Sequence, residues 1–119
     1  MQLHLYGSFD NHDSEQTNMR RVMKFEGIYT PIITPHTADG AIDKEAFAEV
    51  AEFLISSGVH CIAVGGSTGE YYAQTNEERI ELMNFASEVV NKRILLMVGT
   101  GATRTQDSVM FALEAKKAG

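Results

Sequence analysis

From Gly27 onward, apolar and polar positions alternate in blocks that predict three strands and three helices. Gly27-Ile28-Tyr29-Thr30-Pro31-Ile32-Ile33 reads as the first strand, bounded by Thr34-Pro35. Pro31 has no N–H for a ladder, so it belongs at a strand break or a strand end. Ala38-Asp39-Gly40 reads as a turn. Asp43 then suits an N-cap, and the spacing predicts a helix from there to Ser57. Ala46, Phe47, Val50, Phe53 and Leu54 recur at helical spacing and make its expected apolar face. Gly58 stands where a helix C-terminus favours glycine. Val59-His60-Cys61-Ile62-Ala63-Val64 predicts a second strand. Thr75-Asn76-Glu77-Glu78 has the spacing of a capping box and opens a second helix, with Ile80, Met83, Ala86 and Val90 as its stripe. Arg93-Ile94-Leu95-Leu96-Met97-Val98 contains a continuous apolar run, the pattern of a strand buried on both faces. A third helix opens near Thr105 and carries Val109, Ala112 and Leu113. The strand starts lie about 33 residues apart, the size of a βαβ unit. Strands joined in this way run parallel with right-handed crossovers.

Two of the predicted strands end in glycine turns, Gly65-Gly66-Ser67-Thr68-Gly69-Glu70 and Gly99-Thr100-Gly101-Ala102-Thr103. Both fall on the C-terminal edge of the sheet, where α/β proteins bind ligands. Ser67 and Thr68 place two hydroxyls and two N–H groups at one point between glycines, which predicts a pocket for an anion, most simply a carboxylate or phosphate. Neither turn has the G-x-G-x-x-G fingerprint or a Walker lysine, which argues against a nucleotide. Glu70 invites a general-base role, but a structural one, accepting turn amides, is the expectation. Tyr71 and Tyr72 suit packing, an oligomer contact or the pocket. Tyr72 and Thr100 are candidate pocket residues. Thr100 and Thr103 also suit helix-entry caps. Cys61 reads as inert core, His60 as the far end of its strand, and His36 as a loop residue without a visible partner.

Composition narrows the class. The chain has 119 residues, room for one domain, and a formal charge of −6. That charge argues against nucleic acid or an anionic membrane as a partner, and the Arg20-Arg21/Lys24 cluster is too small to change it. With one cysteine there is no internal disulfide, and a reducing, cytoplasmic compartment is expected. No run is long enough to span a bilayer, and no secretory signal is visible. Residues 1–24 are polar and aperiodic and read as a disordered leader, with Met19 and Met23 as alternative starts. His4, Asp10, His12 and Asp13 match no standard ligand spacing, so no metal is expected. Residues 25–119 make up the folded part.

Gly66-Ser67-Thr68-Gly69-Glu70, Thr34-Pro35, the Asp39-Gly40-x-Ile42-Asp43 start and Gly99-Thr100-Gly101 together resemble the dihydrodipicolinate synthase / N-acetylneuraminate lyase superfamily. The likeness covers the chain from about Phe25 to Gly119. It implies a (β/α)₈ barrel and class I aldolase-type chemistry on pyruvate or a related 2-oxo acid, with neither metal nor diffusible cofactor. In such enzymes a lysine forms a Schiff base that serves as an electron sink. By resemblance, Thr68 and its amide hold the substrate carboxylate beside Gly66 and Gly69, and Ser67 joins a hydroxyl relay with tyrosines. Ser67 is more like the neuraminate lyase branch and Gly99-Thr100-Gly101 more like the synthase branch. Tyr71 stands where the family has a small residue. A barrel needs about 250 residues, so the chain supplies three of eight units. The lysine and relay tyrosines come from later strands. Lys24 and Lys92 precede strands, at the wrong end, and Lys44, Lys116 and Lys117 read as solvated. The expectation is an N-terminal part of a lyase or synthase, inactive by itself, whose parent forms homo-oligomers. A stand-alone anion-binding α/β module and a half-barrel completed by a partner chain are the alternatives.

Overall fold

A computed structural model describes residues 3–6 and 25–119. The elements are strand β1 (Leu3–Tyr6), strand β2 (Tyr29–Pro31), helix α1 (Lys44–Ser56), strand β3 (Cys61–Val64), helix α2 (Asn76–Val90), strand β4 (Leu95–Gly99) and helix α3 (Thr105–Ala118). Two short 3₁₀ turns, Ser67–Gly69 and Tyr71–Ala73, stand between β3 and α2. β2, β3 and β4 pair in parallel in the order 2-3-4, as the βα repeat predicts. These are three βα units of the barrel type. Pro31 is the last residue of its strand, and the next N–H, from Ile32, donates to the Ala63 carbonyl at 3.0 Å.

The fourth strand was not expected. β1 pairs antiparallel with the outer edge of β4, in the register Leu3↔Gly99 to Tyr6↔Leu96. A four-residue strand has too little pattern to stand out in a polar leader, and it is defined by the edge it pairs with rather than by its own periodicity. The remainder of the expected leader lies outside the described residues. So do the alternative starts, the Arg20-Arg21/Lys24 cluster and the His/Asp grouping.

The helices pack on one face of the sheet. Ile32, Ile62, Val64 and Val98 meet Phe47, Ala51, Leu82, Met83, Ala86, Val90, Phe111 and Ala115 in a single core. The strand register places Tyr29, Cys61 and Leu95 in one row and Pro31, Ala63 and Met97 in the next. Leu95 and Met97 are half-buried, so β4 is not closed on both faces as its apolar run predicts.

Local signals set the helix starts. Asp43 Oδ1 accepts the Ala46 N–H at 3.0 Å. Thr75 and Glu78 form the reciprocal capping box, with bonds of 3.2 and 2.7 Å. The buried faces are less well predicted. Phe53 is 67% exposed, because α1 buries the line through Phe47 and Ala51. Six residues on from Phe47, Phe53 sits roughly two-thirds of a turn round the helix. In α3 the buried residues are Phe111 and Ala115, while Val109 and Leu113 are 52% and 55% exposed. Each lies two residues from Phe111, more than half a turn away. Among the described residues, no helix is long and apolar enough to cross a membrane, and no cluster of His, Cys, Asp or Glu could hold a metal.

Candidate functional site

The site begins where β3 and β4 end side by side, with Val64 opposite Val98. The next residues, Gly65 and Gly99, come into backbone contact. A Cβ on Gly99 would lie 2.2 Å from the Gly65 carbonyl oxygen, so no side chain fits there. Gly65 has φ +70° and takes the left-handed turn that glycine adopts at no steric cost. The chain then closes a tight 3₁₀ turn, with Gly69 N–H donating to the Gly66 carbonyl at 3.1 Å and Glu70 N–H to the Ser67 carbonyl at 3.0 Å. Glu70 ends the turn in the left-handed region, at φ 54°.

Two neighbours brace this turn from behind. The buried Gly69 carbonyl accepts from Thr34 Oγ1 and from Gln74 Nε2, each at 2.9 Å. The Thr34-Pro35 pair that opens the chain pattern therefore has a definite task, holding the glycine turn from the end of β2. Ser67 and Thr68 stay exposed at the front. The hydrogen bonds that close the turn use neither hydroxyl and neither of their N–H groups, which leaves these donors free of the turn.

Two concavities meet at Ser67. One, of about 250 Å³, lies on the open face of the sheet and is lined by Tyr29, Pro31, Ala63, Met97, Gly66, Ser67 and Thr68. The other, of about 380 Å³, is lined by Gly65, Ser67, Tyr71, Gly101, Ala102 and Thr103. Gly66, Ser67 and Thr68 thus come together, with Gly69 buried beneath them. Thr100 is fully buried and lines neither concavity, and α3 takes Arg104 as its N-cap residue, so neither Thr100 nor Thr103 caps it. Tyr72 points outward, and Tyr71, which packs edge-on against it with ring centroids 5.8 Å apart, lines the second concavity instead.

The other candidates resolve by position. The Glu70 carboxylate makes no hydrogen bond or ion pair among the described residues, so its contribution to the turn is its backbone, not acceptance of turn amides. Cys61 is buried in β3, and desolvation pushes its thiol up to about 11. His60 Nδ1 accepts the Ile28 N–H at 3.0 Å, a structural bond at the start of β3. His36 pairs through its backbone with Ile42. Lys44 pairs with Glu81 and Lys117 with Glu114, each at 2.6 Å. Lys92 lies with His60 and Arg93 beside a cavity of about 410 Å³ at the opposite, N-terminal, ends of the strands. Among the described residues, no lysine lines either concavity at the glycine turns.

Arg79, which no motif in the sequence marks, is the one buried cation behind the turns among the described residues, at 6% exposure. Its guanidinium lies 3.9 Å from the Phe111 ring centroid and 4.9 Å from that of Tyr71. Nη2 donates to the Gly99 carbonyl at 3.1 Å. Burial draws its pKa down from the usual guanidinium range, with the Tyr71 ring group opposing. It stays charged, since arginine does not deprotonate in proteins. Its one signal in the sequence is its place next to Ile80 in the stripe of α2 and four residues after the Thr75 N-cap.

Three parallel βα units, with their glycine turns on the C-terminal edge of the strands, define a barrel-type α/β protein. The family model of the dihydrodipicolinate synthetase family matches residues 24–119. The chain belongs to that family. It is 35% identical over 95 residues to a 4-hydroxy-tetrahydrodipicolinate synthase of Chelativorans sp. (strain BNC1), covering 80% of this chain and 32% of the relative. It is 32% identical over 97 residues to an N-acetylneuraminate lyase of Rhizobium meliloti (strain 1021), covering 82% and 32%. Among solved structures, YagE from E. coli K12, a prophage protein of the dihydrodipicolinic acid synthase family crystallised with pyruvate, superposes with a TM-score of 0.78 at 36% identity. That match covers 80% of this chain and 32% of YagE. The chain spans about a third of the length of the relatives it matches.

Proposed function

We propose that this chain is the N-terminal, carboxylate-binding part of a Schiff-base-forming lyase or synthase that acts on pyruvate or a related 2-oxo acid. The observation that carries the reading is the outward-facing Ser67–Thr68 pair, set between glycines at the end of β3 and lining a concavity on the open sheet face. In this reading the Thr68 hydroxyl and the N–H groups of the turn donate to the substrate carboxylate, with Gly66 and Gly69 giving the backbone room to approach. The Ser67 hydroxyl passes a proton to or from the reacting oxygen. The pyruvate bound in YagE, a relative of the same fold, supports the 2-oxo acid as the class of ligand.

The covalent step needs an amine. A lysine Nζ adds to the ketone carbon, the oxygen leaves as water, and the resulting iminium accepts the electron pair when the adjacent bond breaks. No described lysine lines the glycine turns, so that amine comes from another barrel strand, and the 119 residues bind without turning over.

Titration of the ¹⁵N-labelled chain with pyruvate tests this. Amide shifts should concentrate at Gly66, Ser67, Thr68 and Gly69 and vanish in a Ser67→Ala/Thr68→Val double variant. Borohydride should leave the mass unchanged. Shifts spread evenly over the surface, or a reduced adduct on any lysine of the chain, would refute the assignment.

A further inference from the structure

We infer that Arg79 is a positioning residue for the glycine turns: its guanidinium holds the Gly99 carbonyl against Gly65 and so sets the backbone from which Ser67 and Thr68 project. The atom it grips is the informative one. A Cβ built on Gly65 would lie 3.2 Å from that same Gly99 oxygen, so the carbonyl that accepts from Arg79 is also the atom facing the first residue of the Ser/Thr turn. The guanidinium sits on α2, touches Tyr71 from the loop after β3 and Phe111 from α3, and bonds the end of β4. One side chain thus ties together four segments that meet behind the two concavities.

Packing alone does not call for this residue. A buried charge loses its hydration, and here no carboxylate among the described residues lies within ion-pair distance to repay that loss. A methionine would fill the gap between two rings without that penalty, and sulfur also packs well on aromatic faces. What methionine lacks is a donor for Gly99. The stack and the hydrogen bond are therefore separable. Lysine loses the planar stack yet keeps a donor, methionine keeps an apolar contact with the rings but loses the donor, and Phe111→Leu removes the nearer ring while leaving the donor in place.

The test compares Arg79→Met, Arg79→Lys and Phe111→Leu in the whole 119-residue chain. The first readout, without ligand, is the amide shifts of Gly65, Gly66, Ser67 and Gly101. Arg79→Met should displace them, whereas Arg79→Lys and Phe111→Leu should retain the parent pattern even where they melt earlier. The second readout rests on the carboxylate reading: pyruvate affinity should fall on the order of tenfold in Arg79→Met, as expected for a displaced contact, and stay within about threefold in Arg79→Lys. If the parent chain binds no pyruvate, the carboxylate reading fails and the amide pattern alone decides on Arg79. Equal displacement by Lys and Met, or by Phe111→Leu and Met, makes Arg79 a packing residue and overturns the inference. Should Arg79→Met not fold, the parent chain still answers. Separately resolved Nη–H resonances of Arg79 support a held guanidinium, and a single averaged signal refutes it.

Discussion

Gly99 and Gly101 stand two residues apart in one turn, yet replacing each by alanine should have opposite effects. A methyl group on Gly99 would sit 2.2 Å from the Gly65 oxygen and 2.8 Å from its carbonyl carbon. Ordinary contact between such atoms is about 3.5 Å, so the β3 and β4 ends must part by roughly an ångström. Both partners are backbone, and no side chain can swing away to relieve the clash. Parting them also strains the Arg79 bond to Gly99. Overpacking in a core costs about 1–3 kcal/mol, and an immovable partner puts Gly99→Ala at about 3 kcal/mol or above. Gly101 has nothing within 4 Å of a built Cβ and no positive φ. Alanine there should be neutral or stabilising by up to about 1 kcal/mol, through a less flexible unfolded chain. Urea unfolding followed by circular dichroism reads both. With a slope of about 1.5 kcal/mol per M, Gly99→Ala should lower the midpoint by about 2 M while Gly101→Ala leaves it in place or raises it. A Gly99→Ala midpoint within about 0.3 M of the parent, or equal losses at both positions, would show that the strand ends are not in contact.

Four further outcomes follow from other parts of the molecule. Thr75→Ala should cost about 1 kcal/mol, near 5 °C in melting temperature, and adding Glu78→Ala should cost less than the two single losses summed, because each side chain caps through the other. Cys61 should resist iodoacetamide at pH 8 in the native chain and react once urea unfolds it, since only the thiolate is nucleophilic and burial disfavours it. Because its folded pKa is raised from 9.0 to about 11, the native state keeps its proton where the unfolded chain has lost it. Stability should therefore be full below pH 9 and fall as pH rises from 9 toward 11, by more than in Cys61→Ala, as measured by urea midpoints at each pH. Ser67→Ala and Thr68→Val should each change stability by less than about 0.5 kcal/mol, because both side chains are exposed and unused by the fold, while Thr68→Val weakens the pyruvate-induced shifts more than Ser67→Ala does.

The chain announces its elements through local chemistry. Asp43 and the Thr75/Glu78 pair name their helix starts because an N-cap needs only the neighbouring N–H groups, and the structure uses those bonds. The βα repeat alone dictates a parallel sheet with its glycine turns on one edge, because helical connections leave no other direction. That alone places Gly66, Ser67 and Thr68 on the C-terminal edge, where the structure has them line one concavity. What stayed hidden depends on contacts between segments distant in sequence. α3 turns Phe111 and Ala115 into the core it shares with α1, α2 and the sheet, with Phe111 against Arg79, 32 positions earlier, and leaves the apolar Val109 and Leu113 exposed. Beyond its place next to Ile80, Arg79 has no local signal that sets it apart from other helix charges; α2, α3 and the two loops enclose it only in the fold. β1 has no meaning apart from the β4 edge that it pairs with. Short-range hydrogen bonds and periodicity are written into neighbouring residues. Burial belongs to the space between elements, which exists only after the chain has folded.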